Sequence, residues 1–389
     1  MRNSIGLLFL LHSTMQTEAE KYLEQQLRQR EIAHNKRALQ LRENGIDFFS
    51  NDYLGIAKNN LGTAEIIYAS GSTGSRLLSG NSKKAIELEK YLAAFHQAPA
   101  ALLFNSGYDA NLGLLSSLGS RHTVFLYDEL SHASIIDGIR LSFCKQSFRF
   151  KHNNCPDLRE KLQKFSTEDV QIIVVVESVY SMEGDMAPLK EIVKLCEEFN
   201  VSLIVDEAHA TGVFGENGEG LVQKLQLQQK IFARIHTFGK AIACHGAVVV
   251  GSNLLKEYLI NFARSFIYTT ALPDQALQVI ENNYAIMQHH PELREKLHHS
   301  IQYFNQAKKT LCDAYWEESY SPIQSLLLSN NDLVKLVADT CKNAGINVSA
   351  IKSPTVAKGS ERIRICLHSF NTDEEIDLLI KEIERCLKK

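Results

Sequence analysis

The chain has few of the cysteine and charge patterns that identify metal-binding, secreted or nucleic-acid-binding proteins. None of its eight cysteines belongs to a Cys-x-x-Cys pair, so the sequence predicts neither a zinc site nor a disulfide framework. The formal net charge is −3 and the isoelectric point is about 6.5, whereas binding to nucleic acid requires a basic face. We therefore expect reduced thiols, a cytoplasmic location and no nucleic-acid partner.

A hydrophobic run long enough to cross a membrane is also lacking. The apolar run near the N-terminus covers only residues 6–11, while a spanning helix needs about 20 residues. No small-residue cleavage site of a signal peptide follows it. Because a charged helical pattern covers residues 16–41, we interpret residues 1–14 as a non-native or disordered extension and expect no membrane partner.

The chain of 389 residues is longer than one ordinary domain, and it contains no internal repeat or low-complexity linker. Short apolar runs alternate with helical patterns, one of which covers residues 189–199 and begins after Pro188. Strands are predicted at residues 100–104, 124–127, 172–176, 203–205 and 247–250. Apolar strands separated by helices predict an α/β fold with a mostly parallel sheet that is covered on both faces.

The pattern changes after Pro273, where a long helical pattern runs to about residue 315. Strand signals at residues 323–328, 346–350 and 362–367 then alternate with helices that end at Leu387. We therefore predict an N-terminal helical segment at residues 15–50, a large domain at 51–275 and a smaller C-terminal α/β domain at 276–389.

Lys240 is the most informative candidate for catalysis. It closes the run His-Thr-Phe-Gly-Lys at residues 236–240, downstream of Asp206 at the end of an apolar run. Ligands of parallel sheets bind at the carboxyl ends of the strands. A lysine in a small-residue loop and an acid at a strand end fit a site for pyridoxal 5′-phosphate (PLP), in which lysine forms a Schiff base and a carboxylate pairs with the ring nitrogen.

The run Asp-Glu-Ala-His at residues 206–209 also occurs in certain helicases. Those enzymes need a GxxxxGK[ST] loop, but Gly239 and Lys240 are followed by Ala241, and Arg234 stands where the first glycine should be. A metal site at Asp206 and His209 lacks a further ligand at suitable spacing. The sequence therefore argues against both alternatives, and we expect no metal.

Several other residues allow both a functional and a structural interpretation. The turn at residues 105–108 could bind phosphate at a helix start or be an ordinary strand-to-helix turn. Ser178 could donate to a phosphate or ring oxygen or cap a helix, and His132 could stack on a flat ring or be structural. Arg364 could clamp a substrate carboxylate or form a surface ion pair. The glycine-serine loop at residues 71–81 could bind phosphate or contact another subunit.

Taken in order, the motifs resemble those of the α-oxoamine synthases, PLP enzymes of aminotransferase fold type I. The resemblance covers roughly residue 20 to the C-terminus and is carried by these runs: Ser-Asn-Asp-Tyr-Leu-Gly at 50–55, the loop at 71–80, Ser-Gly-Tyr at 106–108, Ser-His-Ala-Ser at 131–134, Glu-Ser at 177–178, Asp-Glu-Ala-His at 206–209, Thr-Phe-Gly-Lys at 237–240 and Pro-Thr-Val at 354–356.

The resemblance implies a catalytic role for four residues. Lys240 would form the Schiff base with PLP, Asp206 would pair with the ring nitrogen, His209 would donate to the ring hydroxyl, and His132 would stack on the ring. The remaining implied positions are cofactor contacts at Gly107, Tyr108, Ser178 and Thr237, a contact of Thr270 with the phosphate in the partner subunit of a homodimer with shared active sites, and substrate contacts at Arg37, Thr355 and Arg364.

The reaction that the resemblance implies is the decarboxylative condensation of an amino acid with an acyl thioester of coenzyme A or an acyl carrier protein. The runs at residues 50–55 and 206–210 favour the branch that joins L-alanine to a pimeloyl thioester in biotin synthesis. Tyr-Asp-Ala-Asn at 108–111 and Ile-Ile-Asp-Gly at 135–138 also resemble the glycine acetyltransferase branch. A synthase using serine and a long acyl thioester, and a non-catalytic partner subunit, are further alternatives.

Overall fold

A computed structural model describes residues 17–32, 36–37, 39, 44–62, 70–311, 314–328, 330–353 and 356–388. The predicted N-terminal extension at residues 1–14 and the predicted substrate contact Thr355 lie outside the described residues. None of the helices in the described ranges is both long and apolar enough to cross a bilayer.

The described helices are α1 (Glu18–Ile32), α2 (Lys83–Phe95), α3 (Gly107–Leu118), α4 (Ala133–Arg140), α5 (Cys155–Phe165), α6 (Leu189–Glu198), α7 (Leu221–Lys224), α8 (Asn253–Phe262), α9 (Arg264–Ile267), α10 (Asp274–His289), α11 (Pro291–Ala307), α12 (Asn331–Asn343) and α13 (Asp373–Leu387). The strands are β1 (Ile46–Asp47), β2 (Ala100–Phe104), β3 (Thr123–Asp128), β4 (Gln146–Phe150), β5 (Gln171–Glu177), β6 (Ser202–Asp206), β7 (Ala233–Thr237), β8 (Ala247–Gly251), β9 (Tyr315–Trp316), β10 (Ile323–Leu327), β11 (Ile346–Asn347), β12 (Ser349–Ile351) and β13 (Arg362–Cys366).

The central sheet has seven strands in the order β2-β8-β7-β6-β5-β3-β4. Strands β3 to β7 are parallel to their neighbours within that group, and β8 is antiparallel to both β7 and β2. Six of the seven strands therefore run in one direction, and their carboxyl ends meet at the same edge. The predicted mostly parallel sheet is confirmed.

Both faces of this sheet are buried, as the continuous apolar runs predict. Within β2, Leu102 and Phe104 pack in one hydrophobic cluster, whereas Ala101 and Leu103 pack in the other. Because successive side chains of a strand point to opposite faces, helices on each side have an apolar surface to cover.

The five strands predicted in the central sheet are confirmed, as are those predicted at residues 323–328 and 362–367, whereas the run at 346–350 forms two short strands, β11 and β12. The helical predictions need two corrections. The pattern after Pro273 forms two helices, α10 and α11, which meet at His290 and Pro291, because proline has no N–H to continue the first helix. The N-terminal helix ends at Ile32 rather than near residue 41. Strands β4 and β7 of the central sheet, and the short strands β1 and β9, were not predicted.

A smaller antiparallel sheet, in the order β12-β13-β10-β9, follows the central one in the sequence. Strand β1 pairs in parallel with β11, Ile46 opposite Ile346, so the segment just before residue 50 packs with the C-terminal part of the chain. The boundaries predicted for the domains stay a prediction.

The turn between β5 and α6 depends on glycine at position 184. Gly184 has φ +78°, and an added Cβ would lie 2.1 Å from the carbonyl oxygen of Ile323. Gly184→Ala is expected to lower the free energy of unfolding by roughly 2–4 kcal/mol, because it adds a backbone clash to left-handed strain. Chemical denaturation would measure this loss.

Gly359→Ala is the matched control, since Gly359 also has positive φ (+88°), but no atom of the described residues would lie within 4 Å of an added Cβ. It should cost only about 1 kcal/mol. Equal losses in the two variants would contradict the steric argument.

Candidate active site

The candidate catalytic residues follow the carboxyl ends of neighbouring strands in the central sheet. His132 comes after β3, Asp206 is the last residue of β6, and Lys240 lies in the loop after β7. The turn that begins α3 follows β2. Because these strands run in one direction, residues that are far apart in the sequence meet at one edge of the sheet.

The Lys240 amine begins a chain of hydrogen bonds. Its Nζ lies 2.7 Å from Nε2 of His209, whose Nδ1 lies 2.7 Å from the hydroxyl of Tyr53. That hydroxyl donates to Oδ1 of Asn51 at 3.1 Å. Burial and, to a smaller extent, the nearby Lys240 hold the pKa of His209 well below its usual range. The imidazole is therefore neutral, and its Nε2 can accept a hydrogen bond from Lys240.

The environment of Lys240 favours a reactive amine. Burial lowers the pKa of Lys240 to about 8, although the carboxylate of Asp206 opposes the shift. An uncharged fraction of the amine is therefore present near neutral pH. Only the uncharged amine attacks a carbonyl carbon, so the site prepares Lys240 as a nucleophile.

Asp206 is 5% exposed and held from two sides. Its Oδ2 accepts from the side-chain amide of Asn111 at 2.7 Å, and its Oδ1 accepts from the backbone N–H of Ala208 at 2.9 Å. Two bonds fix the direction of the carboxylate. Asn111 belongs to the run at residues 108–111, but sequence reasoning assigned this residue no role in the site.

A second carboxyl group lies beside Asp206. Glu177 is directly opposite Asp206 in the pairing of β5 with β6, and its Oε1 accepts from the backbone N–H of His132 at 2.6 Å. Burial and, to a smaller extent, the nearby carboxylate of Asp206 raise the pKa of Glu177 well above its usual range. The protonated form of Glu177 is therefore favoured, which limits the negative charge beside Asp206.

The His132 side chain is exposed, and its Nδ1 lies 2.8 Å from the hydroxyl of Ser134. The same hydroxyl accepts from Asn111 at 3.0 Å, which leaves the serine proton for Nδ1. Through Ser134 and Asn111, the orientation of the imidazole is coupled to Asp206. An exposed ring held in this way can stack on a flat ligand.

The start of α3 can hold an anion. Gly107 is its first residue, and Ser106 caps it by accepting from the N–H of Asp109 at 3.1 Å. A Cβ on Gly107 would lie 3.1 Å from Oγ1 of Thr237, so the loop after β7 closely approaches this turn. The N–H groups of a first helical turn and a nearby hydroxyl are suited to a phosphate.

The other predicted cofactor contacts lie around this turn and behind Asp206. The hydroxyl of Tyr108 donates to Asp137. Ser178 is fully buried, and its hydroxyl donates to the backbone carbonyl of Asp206 at 3.3 Å. Thr270 has an exposed side chain, and its carbonyl accepts from Asn105 at 2.9 Å. Their roles as cofactor contacts stay predictions.

Arg364 reaches the site from the smaller sheet. Its side chain is buried, with Nη2 3.0 Å from Oδ1 of Asn51 and Nε 2.7 Å from the carbonyl of Ser181. The surface ion pair that the sequence left open is therefore not what the structure shows. Arg37 is exposed on the segment after α1, and its contact with substrate stays a prediction.

Sequence reasoning assigned no function to Asn51, Tyr53 or Ser134. All three belong to runs that carry the family resemblance, and this was the only available signal. Among the residues that the structure describes, no group of three or more histidine, cysteine or acidic side chains could hold a metal ion.

Comparisons with known proteins identify relatives along most of the chain. The family model for aminotransferase class I and II matches residues 43–383. The chain is 41% identical to an 8-amino-7-oxononanoate synthase of Emericella nidulans, over 94% of this chain and 95% of that protein. It is 37% identical to one from Chlorobaculum parvum, over 87% and 88%.

Two kinds of solved structure are similar. The 8-amino-7-oxononanoate synthase from Francisella tularensis has a TM-score of 0.75 at 31% identity and covers 88% of this chain and 98% of its own. A serine palmitoyltransferase from Sphingomonas wittichii has a TM-score of 0.85 at 25% identity and covers 97% and 98%.

Replacing Glu177 by glutamine tests the protonated state of this carboxyl group. A raised pKa in the folded protein means that the wild type loses stability as pH rises above the unfolded value of about 4.5, until Glu177 ionises in the folded state. Glu177→Gln removes this loss. Thermal unfolding at pH 5.5 and pH 8 should show the variant gaining stability relative to wild type at the higher pH; parallel pH dependences would contradict the assignment.

Proposed function

Because the chain belongs to the aminotransferase class I and II family, we propose that it is a PLP-dependent acyltransferase. It condenses L-alanine with a pimeloyl thioester, with loss of CO₂, to give 8-amino-7-oxononanoate in biotin synthesis. The observation that carries this proposal is the agreement between relatives of that name, 41% identical over 94% of the chain, and a site in which Lys240 lies beside His209.

The residues of the site fit PLP. A buried amine of lowered pKa suits the aldehyde, an oriented carboxylate suits the ring nitrogen, and the exposed imidazole of His132 offers a face to the ring. The start of α3 and Thr237 are placed for a phosphate. The chemistry that PLP supplies when bound is an electron sink for the pair released at the substrate Cα.

The chain's own residues then anchor, orient and move protons. Lys240 Nζ is the covalent anchor and, as a free amine, takes the proton from the substrate Cα. His209 accepts a hydrogen bond from Nζ through Nε2 and contacts the hydroxyl of Tyr53 through Nδ1, which directs the amine, while burial favours its uncharged form. The negative charge of Asp206 favours a protonated ring nitrogen. Because the protonated form of Glu177 is favoured, Glu177 adds little negative charge beside Asp206.

Substrate orientation is assigned to Arg364. A guanidinium binds a carboxylate through two parallel hydrogen bonds, and Nη2 of Arg364 is held here by the amide oxygen of Asn51. Binding the carboxylate of L-alanine fixes the angle of the Cα–H bond. Arg37 is proposed as a contact of the acyl substrate, and Thr355 as a further substrate contact.

A homodimer with shared active sites and a cytoplasmic location belong to the same proposal. The exposed side chain of Thr270 supports the dimer, because it leaves the hydroxyl available to a phosphate held by the other subunit. Apolar side chains elsewhere are exposed, among them Leu78 and Phe143, each with 82% of its surface accessible. They offer surface for an interface.

Lys240→Ala should remove turnover while the protein remains folded, since no other amine replaces the anchor and base. The loss should be at least roughly 10²–10⁴-fold. Borohydride reduction in the presence of PLP, followed by peptide mapping, should find a reduced adduct at Lys240 in the wild type and in Lys224→Ala, an exposed-lysine control. An adduct at another lysine, or turnover by Lys240→Ala, would refute the assigned role.

The substrate assignment is tested with a panel of amino acids and thioesters. L-alanine, glycine and serine are each combined with pimeloyl, acetyl and palmitoyl thioesters, with the pimeloyl group on coenzyme A or on an acyl carrier protein. The proposal requires the highest kcat/KM for L-alanine with a pimeloyl thioester. Preference for glycine with acetyl, or for serine with palmitoyl, would assign the chain to the other branches, and no turnover would favour a non-catalytic subunit.

A further inference from the structure

A half-buried histidine outside the catalytic residues lies between two carboxylates. His152, just after β4, has Nδ1 2.9 Å from Oδ1 of Asp128 and Nε2 2.8 Å from Oδ2 of Asp185. Asp128 is the last residue of β3 and has no exposed surface. The edge of the His152 ring meets the ring of Tyr180 at a centroid distance of 4.5 Å.

This arrangement favours the charged form of the histidine. Burial alone lowers the pKa of His152, but the hydrogen bonds to Asp128 and Asp185 outweigh it and raise the pKa to about 10. Since an imidazolium donates from both ring nitrogens, it can bind both carboxylates at once. His152 therefore joins the end of β3 to the turn that contains Asp185.

That turn, residues 180–186, is tightly closed. The N–H of Tyr180 donates to the carbonyl of Asp185 at 3.0 Å, and the N–H of Gly184 donates to the carbonyl of Tyr180 at 2.9 Å. Val179 and Met186 form an antiparallel bridge across its base. Because the turn is closed on itself, a side chain that holds Asp185 also restrains the rest of the turn.

Three successive residues of the turn contact the smaller sheet. The carbonyl of Ser181 accepts from Nε of Arg364 at 2.7 Å, and the carbonyl of Met182 accepts from the hydroxyl of Ser325. Glu183 forms an ion pair with Arg362 at 2.7 Å, with both side chains nearly buried. Arg362 and Arg364 lie on the same strand, β13.

The guanidinium of Arg364 is consequently held at one end by the turn. Its Nε is bound to Ser181, whereas Nη1 and Nη2 bond to Cys366 at 3.0 Å and to Asn51 at 3.0 Å. Fixing Nε sets the plane of the guanidinium, and the plane decides where its two outer nitrogens can meet a carboxylate.

We propose that His152 is a positioning residue for the amino-acid substrate: by bridging Asp128 and Asp185 it holds the 180–186 turn against Arg364, so that the guanidinium is oriented for the substrate carboxylate. This inference rests on the proposed function, because it takes Arg364 as the carboxylate clamp. His152 itself contacts neither substrate nor cofactor in this scheme.

The test uses PLP-loaded His152→Gln, which keeps a hydrogen-bonding side chain but cannot be charged. We expect the KM for L-alanine, and the Kd for L-alanine from a spectral titration without thioester, to rise roughly 5–30-fold. The KM for the pimeloyl thioester and the PLP content should stay within about twofold of wild type. A general structural defect would change all four quantities.

Two controls make the result specific. His299→Gln alters a histidine–carboxylate pair of similar length, 3.0 Å to Asp373, that is exposed on α11, and it should leave every constant unchanged. In an Arg364→Ala background, His152→Gln should cause no further rise in the alanine constants, because His152 acts through Arg364.

Asp185→Asn provides a second variant if His152→Gln does not fold, and it should show the same selective loss. An unchanged alanine KM in an active variant, equal losses for both substrates, or an undiminished effect in the Arg364→Ala background would overturn the inference. A wild-type enzyme that does not use L-alanine would instead overturn the proposed function.

Discussion

The shared direction of the strands in the central sheet is the constraint on which the site depends. The carboxyl ends of β2, β3, β5, β6 and β7 lie at one edge of the sheet. Glu177 and Asp206 end their strands there, and the segments that follow the other strands supply the start of α3, His132 and Lys240. Because these ionisable groups lie close together at a buried edge of the sheet, the pKa values of Lys240 and Glu177 are shifted. The same low-dielectric surroundings lower the pKa of Lys240 and raise that of Glu177.

The pKa of Lys240 is lowered and that of Glu177 is raised, so these side chains of one site favour different protonation states. A lysine with a pKa of about 8 is partly a free amine. The raised pKa of Glu177 favours its protonated form, so Asp206 is the carboxylate placed to pair with a cation. Neutral His209 connects the amine to Tyr53. The reactive state of each group therefore follows from its neighbours rather than from its residue type alone.

The part of the site that is proposed to bind the substrate comes from different segments of the chain. Arg364 comes from the smaller sheet, Asn51 from the segment before the large sheet, and Ser181 from the turn after β5. Three hydrogen bonds or ion pairs from residues 181–183 join the two sheets next to that arginine. A change in how the two sheets pack would therefore move Arg364, to which the substrate carboxylate is proposed to bind.

Much of this arrangement could be predicted from residues alone. Apolar runs located five strands of the central sheet, and Asp206 and Lys240 were identified from their positions after such runs. Strand β7 was missed because buried Arg234 and His236 interrupt its apolar pattern. The buried guanidinium of Arg234 donates hydrogen bonds to the side chain of Gln223 and to the carbonyl of His96. Strand β4 lies at the sheet edge and has mostly exposed side chains, so it lacks the signal of a buried strand.

The amino-acid sequence by itself determined the fold class and singled out Lys240 and Asp206 as candidates, because hydrophobic periodicity and local motifs depend on residues that are close together in the chain. Only the tertiary structure decided that Asn111 and Ala208 hold Asp206, that Glu177 is its strand partner, and that His152 connects β3 to the turn beside Arg364. Hydrogen bonds and pKa shifts depend on distances and burial between residues remote in the chain, and those distances exist only once the sheets have packed.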